Sequence, residues 1–307
     1  MTVVSGHGPG NGDAADGAVA SKDFAGRYGP WAVVAGASMG IGRALSMEAA
    51  ERGLNVVLVA RGKEKLEATA SEVAARHGRE VRTVAADLAS PDIGEILADA
   101  TADLDVGLLV YNAAVGPNSR FIDGDLDLHL LSVDVNCRTP VILSHHFGRR
   151  LAERGRGGIV MISSMGGTQG AVNFSTYNAG KAFEWILTES LWTELADRGV
   201  DAVNVFVGAT SSPNYDAFQE TLDPDLCNRT DTDDPLDRAR SRLMRPSSPE
   251  EVATASYEGL AHGPVAYTHS DDEFVSRRCF GLSRADATGV WRALQETSTR
   301  RPDRIAR

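Results

Sequence analysis

The sequence predicts an α/β fold, a single domain built on a doubly wound parallel sheet, and three observations carry that prediction. Short apolar runs rich in Val alternate with longer segments of helical period, a glycine-rich turn joins the first run to the first helix, and polar residues with chemical capability fall at the carboxyl ends of the runs. Alternating strands and helices build parallel sheets with right-handed crossovers, and ligands of such sheets collect at the carboxyl ends of the strands.

Composition bounds the reading. The 307 residues, 42% hydrophobic and 24% charged, can bury one substantial core. The net charge of -11 argues against a nucleic-acid partner, which needs a basic face. No apolar run is long enough to span a membrane, and the first residues lack the basic start and apolar core of a secretory signal, so a cytoplasmic protein is expected. Cys137, Cys227 and Cys279 have no CxxC spacing, so neither a disulfide framework nor a metal site is suggested, and neutral or buried thiols are expected. Residues 216–238 hold eight acidic residues and two Arg, which reads as a solvated surface segment. Arg outnumbers Lys 27 to 4, so each Lys merits inspection.

Residues 1–29, rich in Gly, Ala and Asp, have no hydrophobic period and read as a flexible arm. WAVVAG then reads as the first strand, and Gly36, Ser38, Met39, Gly40, Ile41 and Gly42 form the turn before the helix ALSMEAAERG. In that context glycines let the backbone approach a pyrophosphate, and the helix N-terminus favours the anion. The second strand, NVVLVAR, ends at Arg61 about 20 residues on, where an acid would select NAD and an Arg accommodates the 2′-phosphate of NADP; the reading is NADP(H). KEKLEATASEVAARHG has helical spacing, and the third strand, VRTVAADL, delivers Asp87 and Leu88 to the ligand edge. Asp87 there either bonds an adenine amino group or caps the next helix.

The fourth strand, VGLLVYNAAVG, is apolar throughout, as a strand buried on both faces should be, and presents Asn112, Ala113 and Ala114. A helix over residues 126–148 follows, with Asn136 as either a structural amide or a site residue, and with Pro140 bending or breaking it. The fifth strand, GGIVMISS, ends in Ser163 and Ser164. Tyr177 and Lys181 lie four apart on the next helix and so share a face, where the ammonium favours the phenolate and suits the pair to acid–base work. On that helix Phe183, Leu187, Leu191 and Leu195 read as the core or subunit-contact stripe. VDAVNVFVG is a sixth strand, turning through Gly208, Thr210 and Pro213 into the acidic segment, where residues 212–245 read as a lid of loop and short helices. SSPEEVATASYEGL starts a helix at its proline, VWRALQ is helical, and a basic tail ends the chain; strand content after residue 261 is left unassigned.

Together these residues resemble the short-chain dehydrogenase/reductase family over about residues 30–260. AGASMGIG is similar to its TGxxxGxG cofactor loop and YNAA to its NNAG. Asn136, Ser164, Tyr177 and Lys181 are similar to its Asn-Ser-Tyr-Lys tetrad, and VGATSSP to its PGxxxT turn. Ser164 lies 13 residues before Tyr177, the spacing that selects it over Ser163. Ala35, Ala114 and Val207 depart from the family pattern at structural positions, and Ser212 stands in place of a Thr. The start RYGPWAVVAGAS and the VLVAR strand end look similar to the NADPH-linked reductase branch.

The resemblance implies a Rossmann domain over residues 30–285, a C-terminal helix and tail over 286–307, and a homodimer or homotetramer. It further implies NADP(H)-dependent interconversion of a small-molecule ketone or aldehyde with an alcohol. Tyr177 would be acid/base and Ser164 would bond the carbonyl oxygen. Lys181 would polarise Tyr177 and hold the nicotinamide ribose, while Asn136 would fix a water that links Lys181 to solvent. The alternatives are an NADP(H)-binding sensor without turnover, or a dehydratase or isomerase on the same fold. Pocket residues are expected from 115–121, 165–174 and 212–226, without a cation placed for a substrate carboxylate, which favours a neutral ketone.

Overall fold

The computed structural model describes residues 24–212, 215–216, 219–227 and 232–298. Seven parallel strands lie in the order β3-β2-β1-β4-β5-β6-β7. They are β1 (Trp31–Ala35), β2 (Asn55–Ala60), β3 (Val81–Ala85), β4 (Val106–Tyr111), β5 (Gly157–Ser164), β6 (Val200–Val207) and β7 (Val265–Tyr267). The order reverses beside β1, so the crevice between the β1 and β4 ends is where a ligand of a doubly wound sheet would enter.

Alternation along each strand divides the core between the two faces. In β1, Ala32 and Val34 pack with one apolar cluster while Trp31, Val33 and Ala35 pack with the other. Helices α1 (Gly40–Glu51), α2 (Lys63–His77) and α3 (Ile93–Ala100) follow the first three strands. After β4 one long helical element begins as α4 (Leu126–Val133), passes through a π-helical turn, Asp134–Arg138, and continues as α5 (Thr139–Arg154). Pro140 therefore reshapes this helix without ending it. Proline has no N–H to offer the carbonyl of Asn136 four residues back, and the wider turn absorbs that mismatch.

Helix α6 (Ser175–Leu195) packs part of its expected stripe on the core through half-buried Leu191 and Leu195, while Leu187 is half-buried and Phe183 is exposed. Its fully buried residues, Asn178, Gly180, Lys181, Glu184 and Thr188, form a polar stripe that was not expected. After a short helical turn at Pro224–Cys227, the longer helices that follow are α7 (Pro235–Met244), α8 (Pro249–Leu260), α9 (Ser270–Phe280) and α10 (Arg284–Thr297). Helix α8 starts at Pro249, as its sequence foretold, and opens with a capping box of Ser248 and Glu251. A third apolar cluster joins Met165 and Phe206 to α7, α9 and α10.

The expected arm ends earlier than residue 29. Residues 24–28 are helical, with Phe24 and Tyr28 buried, and Tyr28 Oη donates to Asp201 at 2.6 Å. Aromatic rings at both ends of that turn hold it against the sheet, a signal that composition averaging hid. Residues 1–23, the basic tail at 299–307, and Pro213 lie outside the described residues.

Candidate active site

Two concavities open at the carboxyl edge of the sheet. The first is a cleft of about 900 Å³ lined by Gly36, Ser38, Met39, Ala60, Arg61, Lys63, Lys65, Asp87, Leu88, Asn112, Ala113 and Ala114, among others. Its glycines are needed for close approach. Gly36 has φ +85, and a Cβ on it would lie 2.8 Å from Ala113 N; a Cβ on Gly42 would overlap the Gly36 carbonyl. Asn112 Nδ2 donates to that same carbonyl at 3.1 Å, tying the β4 end to the glycine turn. Gly40 and Ile41 begin α1, whose N-terminus faces this turn.

Arg61, at the end of β2, is exposed, lines the cleft and forms no ion pair among the described residues. Lys63 and Lys65 line it too, so two of the chain's four lysines stand beside Arg61; Lys63 is 3.8 Å from Glu67. The scarcity of Lys was the signal that could have added them. Asp87 lines the cleft while its Oδ1 accepts from Ala89 N at 3.0 Å, so it caps its own turn; the cap of α3 is Asp92. Leu88 is buried, and its carbonyl accepts from Thr139 Oγ1.

The second concavity, a cavity of about 540 Å³, has Ser164 and Tyr177 together in its wall. Ser164 Oγ accepts from Gly166 N at 3.1 Å, which leaves its own hydrogen to donate. Gly116 lies over the Tyr177 ring, where a Cβ would come to 3.1 Å. The three expected pocket segments contribute Asn118, then Met165, Gly166, Ala171 and Phe174, then Tyr215. Gly208 and Ala209 line the cavity as well; Thr210 is in neither lining, and its Oγ1 donates back to Gly208 O at 3.2 Å.

Sequence reasoning missed the far wall, which α7, α9 and α10 supply through Arg242, Leu243, Asp272, Val275, Trp291 and Leu294. A cation does therefore reach this cavity. Arg242 Nε donates to both oxygens of Asp272 at 3.2 Å, and its other nitrogens donate to Arg245 O, Ala209 O and Ser247 Oγ. Both side chains are buried, and the Asp272 carboxyl is pushed up by desolvation, with Arg242 opposing. The charge is answered within the wall, leaving an apolar surface with little net field.

Asn136 and Lys181 lie behind this wall. Asn136 is fully buried in the π-helical turn; its Oδ1 accepts from Val115 N at 2.9 Å, and Nδ2 donates to Val115 O at 2.8 Å and Ser132 Oγ at 3.1 Å. Its side chain thus holds the backbone that leaves β4. A Cβ on Gly180 would lie 2.7 Å from Asn136 Cβ, which is how α6 approaches the turn closely. Lys181 Nζ lies 5.9 Å from the Tyr177 ring centre and donates to Ile162 O at 2.8 Å and to Glu184 at 2.8 and 3.1 Å. Sequence reasoning passed over Glu184, since a Glu three residues after a Lys is ordinary on an exposed helix face.

All three cysteines are free, with Cys227 and Cys279 buried, Cys137 half-buried, and all three thiols pushed up by burial. Among the described residues no cluster of metal-ligating side chains occurs, and no helix is long and apolar enough to cross a membrane.

A glycine cradle at the switch of a parallel sheet, next to a cavity holding a serine and a tyrosine, fits a dinucleotide-dependent oxidoreductase. Residues 30–223 match the short chain dehydrogenase family model, and the chain belongs to that family. It is 35% identical over 193 residues to the 7beta-hydroxysteroid dehydrogenase of Clostridium sardiniense, a match that spans 63% of this chain and 74% of that one. Among solved structures, a 7beta-hydroxysteroid dehydrogenase studied for its stereoselectivity superposes with a TM-score of 0.76 at 26% identity, covering 87% of this chain and 98% of that one. A short-chain dehydrogenase from Sphingobium yanoikuyae in complex with NADPH superposes with a TM-score of 0.64 at 25% identity, covering 78% and 87%. The chain is an oxidoreductase that interconverts an alcohol and a ketone by hydride transfer with a nicotinamide cofactor.

Proposed function

We propose that this protein is an NADP(H)-dependent dehydrogenase/reductase of a bulky, neutral, largely apolar secondary alcohol or ketone, with Tyr177 as its acid/base. The observation that carries the reading is the presence of Ser164 and Tyr177 together in the wall of an apolar cavity of about 540 Å³. That volume suits a fused-ring molecule better than a sugar or a short-chain ketone. The neutralised Arg242 supports a substrate without a carboxylate at that wall. Likeness to 7beta-hydroxysteroid dehydrogenases makes a steroid-sized ring system the first substrate class to test.

The cofactor has a fitting cradle. Gly36, Gly42 and the N-terminus of α1 suit a pyrophosphate, and Asp87 and Leu88 border the adenosine end of the cleft. Arg61, with Lys63 and Lys65 nearby, suits the 2′-phosphate that distinguishes NADP(H). A bound nicotinamide supplies or accepts the hydride. The chain's residues handle the oxygen: Tyr177 gives its phenolic proton as negative charge develops, and Ser164 donates a hydrogen bond to the same atom. Both interactions strengthen toward the transition state, which is where they lower the barrier. In the reverse direction Tyr177 takes the proton from the alcohol.

Exposed apolar residues on α4 and α5, Leu126, Leu130, Val133 and Val141, together with exposed Ile186 on α6, support a homo-oligomer with these helices paired. Light scattering on the eluting peak reads that mass. The substrate reading is tested by NADPH oxidation across ketones graded from short-chain to fused-ring, with NADH as control. Turnover should rise with ring size and favour NADPH; equal rates with both cofactors would remove the role given to Arg61.

A further inference from the structure

Helix α6 turns a polar stripe toward the sheet, and at its centre the Lys181 ammonium, 2% exposed, meets the Glu184 carboxylate, 0% exposed. An ammonium has three hydrogens. Here one goes to Ile162 O at 2.8 Å and one is shared by the two Glu184 oxygens at 2.8 and 3.1 Å. The group expected to polarise Tyr177 and to bond a ribose is thus anchored from two sides. Its charge is also countered by Glu184 on its own helix.

The rest of the surroundings is neutral. From β4, Tyr111 faces Glu184 and donates its phenol to Val135 O; from the π-helical turn, the Cys137 thiol faces it. Burial pushes both of these groups up, with Glu184 adding to each shift, so neither is an anion near neutrality. Lys181 is the charged group that acts on Glu184 among the described residues. Burial of an ionised carboxylate is unfavourable without such a partner, and the pair survives by its two hydrogen bonds. Once Glu184 is ionised, the isolation of this pair in a dry part of the fold makes the field at Tyr177 the sum of one cation and one anion.

We propose that Glu184 is a positioning residue that holds Lys181 and moderates its charge, and so sets the pH range over which Tyr177 works. The proposal rests on the assignment of Tyr177 as acid/base. One consequence follows. Loss of the Glu184 charge leaves the ammonium uncompensated, which favours the phenolate.

The test is the pH profile of kcat for alcohol oxidation, which needs the phenolate. Glu184→Gln keeps the shape and removes the charge, and its rising limb should move toward acid by about one pH unit or more. Glu184→Asp keeps the charge on a shorter stem that loosens the paired contact, and should move the limb the same way by less. A merely structural Glu184 would lower rates without moving the limb. Coincidence of the E184Q profile with that of the wild type would overturn the proposal, as would an E184D profile displaced further than that of E184Q. If E184Q does not fold, E184D alone decides, since an unmoved limb then refutes the proposal. Tyr177→Phe serves as the control: wild-type turnover in that variant would fault the Tyr177 assignment and not Glu184.

Discussion

Arg242 and Asp272 meet in the wall of the substrate cavity, with the guanidinium Nε 3.2 Å from each carboxylate oxygen and both side chains buried. This pair joins α7 to α9 and converts a charged wall into a neutral one. Removal of either partner strands the other charge in a dry place. Arg242→Met and Asp272→Leu should each cost roughly 3–5 kcal/mol of stability, and the double variant should lose less than either. Urea denaturation of the four proteins closes that cycle; additive losses would show that the pair is not coupled.

The glycine turn gives a prediction on binding. A Cβ on Gly42 would overlap the Gly36 carbonyl, which Asn112 also holds. Gly42→Ala should therefore open the turn and weaken nucleotide binding by about tenfold or more, a loss of about 1.4 kcal/mol or greater. Fluorescence titration with NADPH reads this, and an unchanged Kd would mean that the turn does not contact the cofactor.

Arg61 and Lys65 form no ion pair among the described residues and face the same cleft. Replacing both by Ala should raise KM for NADPH about tenfold or more while leaving KM for NADH within about twofold. Parallel loss with both cofactors would assign these residues to general stability and not to the phosphate.

Glu184 gives a pH dependence of stability with a definite sign. Complete burial pushes its carboxyl up to about 7 from the ordinary 4.5, against the pull of Lys181. A carboxyl whose folded value is raised contributes stability that is fully present below its unfolded value and is lost as pH rises through the folded value. The wild type should thus lose stability relative to Glu184→Gln between about pH 4.5 and 7, with a flat difference outside that window. Urea midpoints of both proteins at about pH 4.5, 6 and 8 measure it.

The parts of the fold that sequence disclosed are those with local signals. GGIVMISS became β5 with its bounds intact, and a Val-rich run before a glycine turn located β1 and the cleft. The short strand β7 and helix α9 escaped because Val265–Tyr267 is half-buried throughout and three residues carry no period. The far wall of the cavity depends on where α7, α9 and α10 dock, which is tertiary information. Glu184 shows the same limit at one residue, since its spacing from Lys181 was plain and its burial was not. Asn136 was legible as an amide requiring partners, and which partners it finds depends on the path of Val115.

The central claim is that Tyr177 is the acid/base of an NADP(H)-linked ketone reduction in this cavity. The most direct measurement compares wild type and Tyr177→Phe for NADPH-dependent reduction of a fused-ring ketone that the wild type turns over, alongside NADPH titration of each. A fall in kcat of about a hundredfold or more, with Kd for NADPH changed less than about threefold, is the expected result. Retained turnover in the variant would contradict the account.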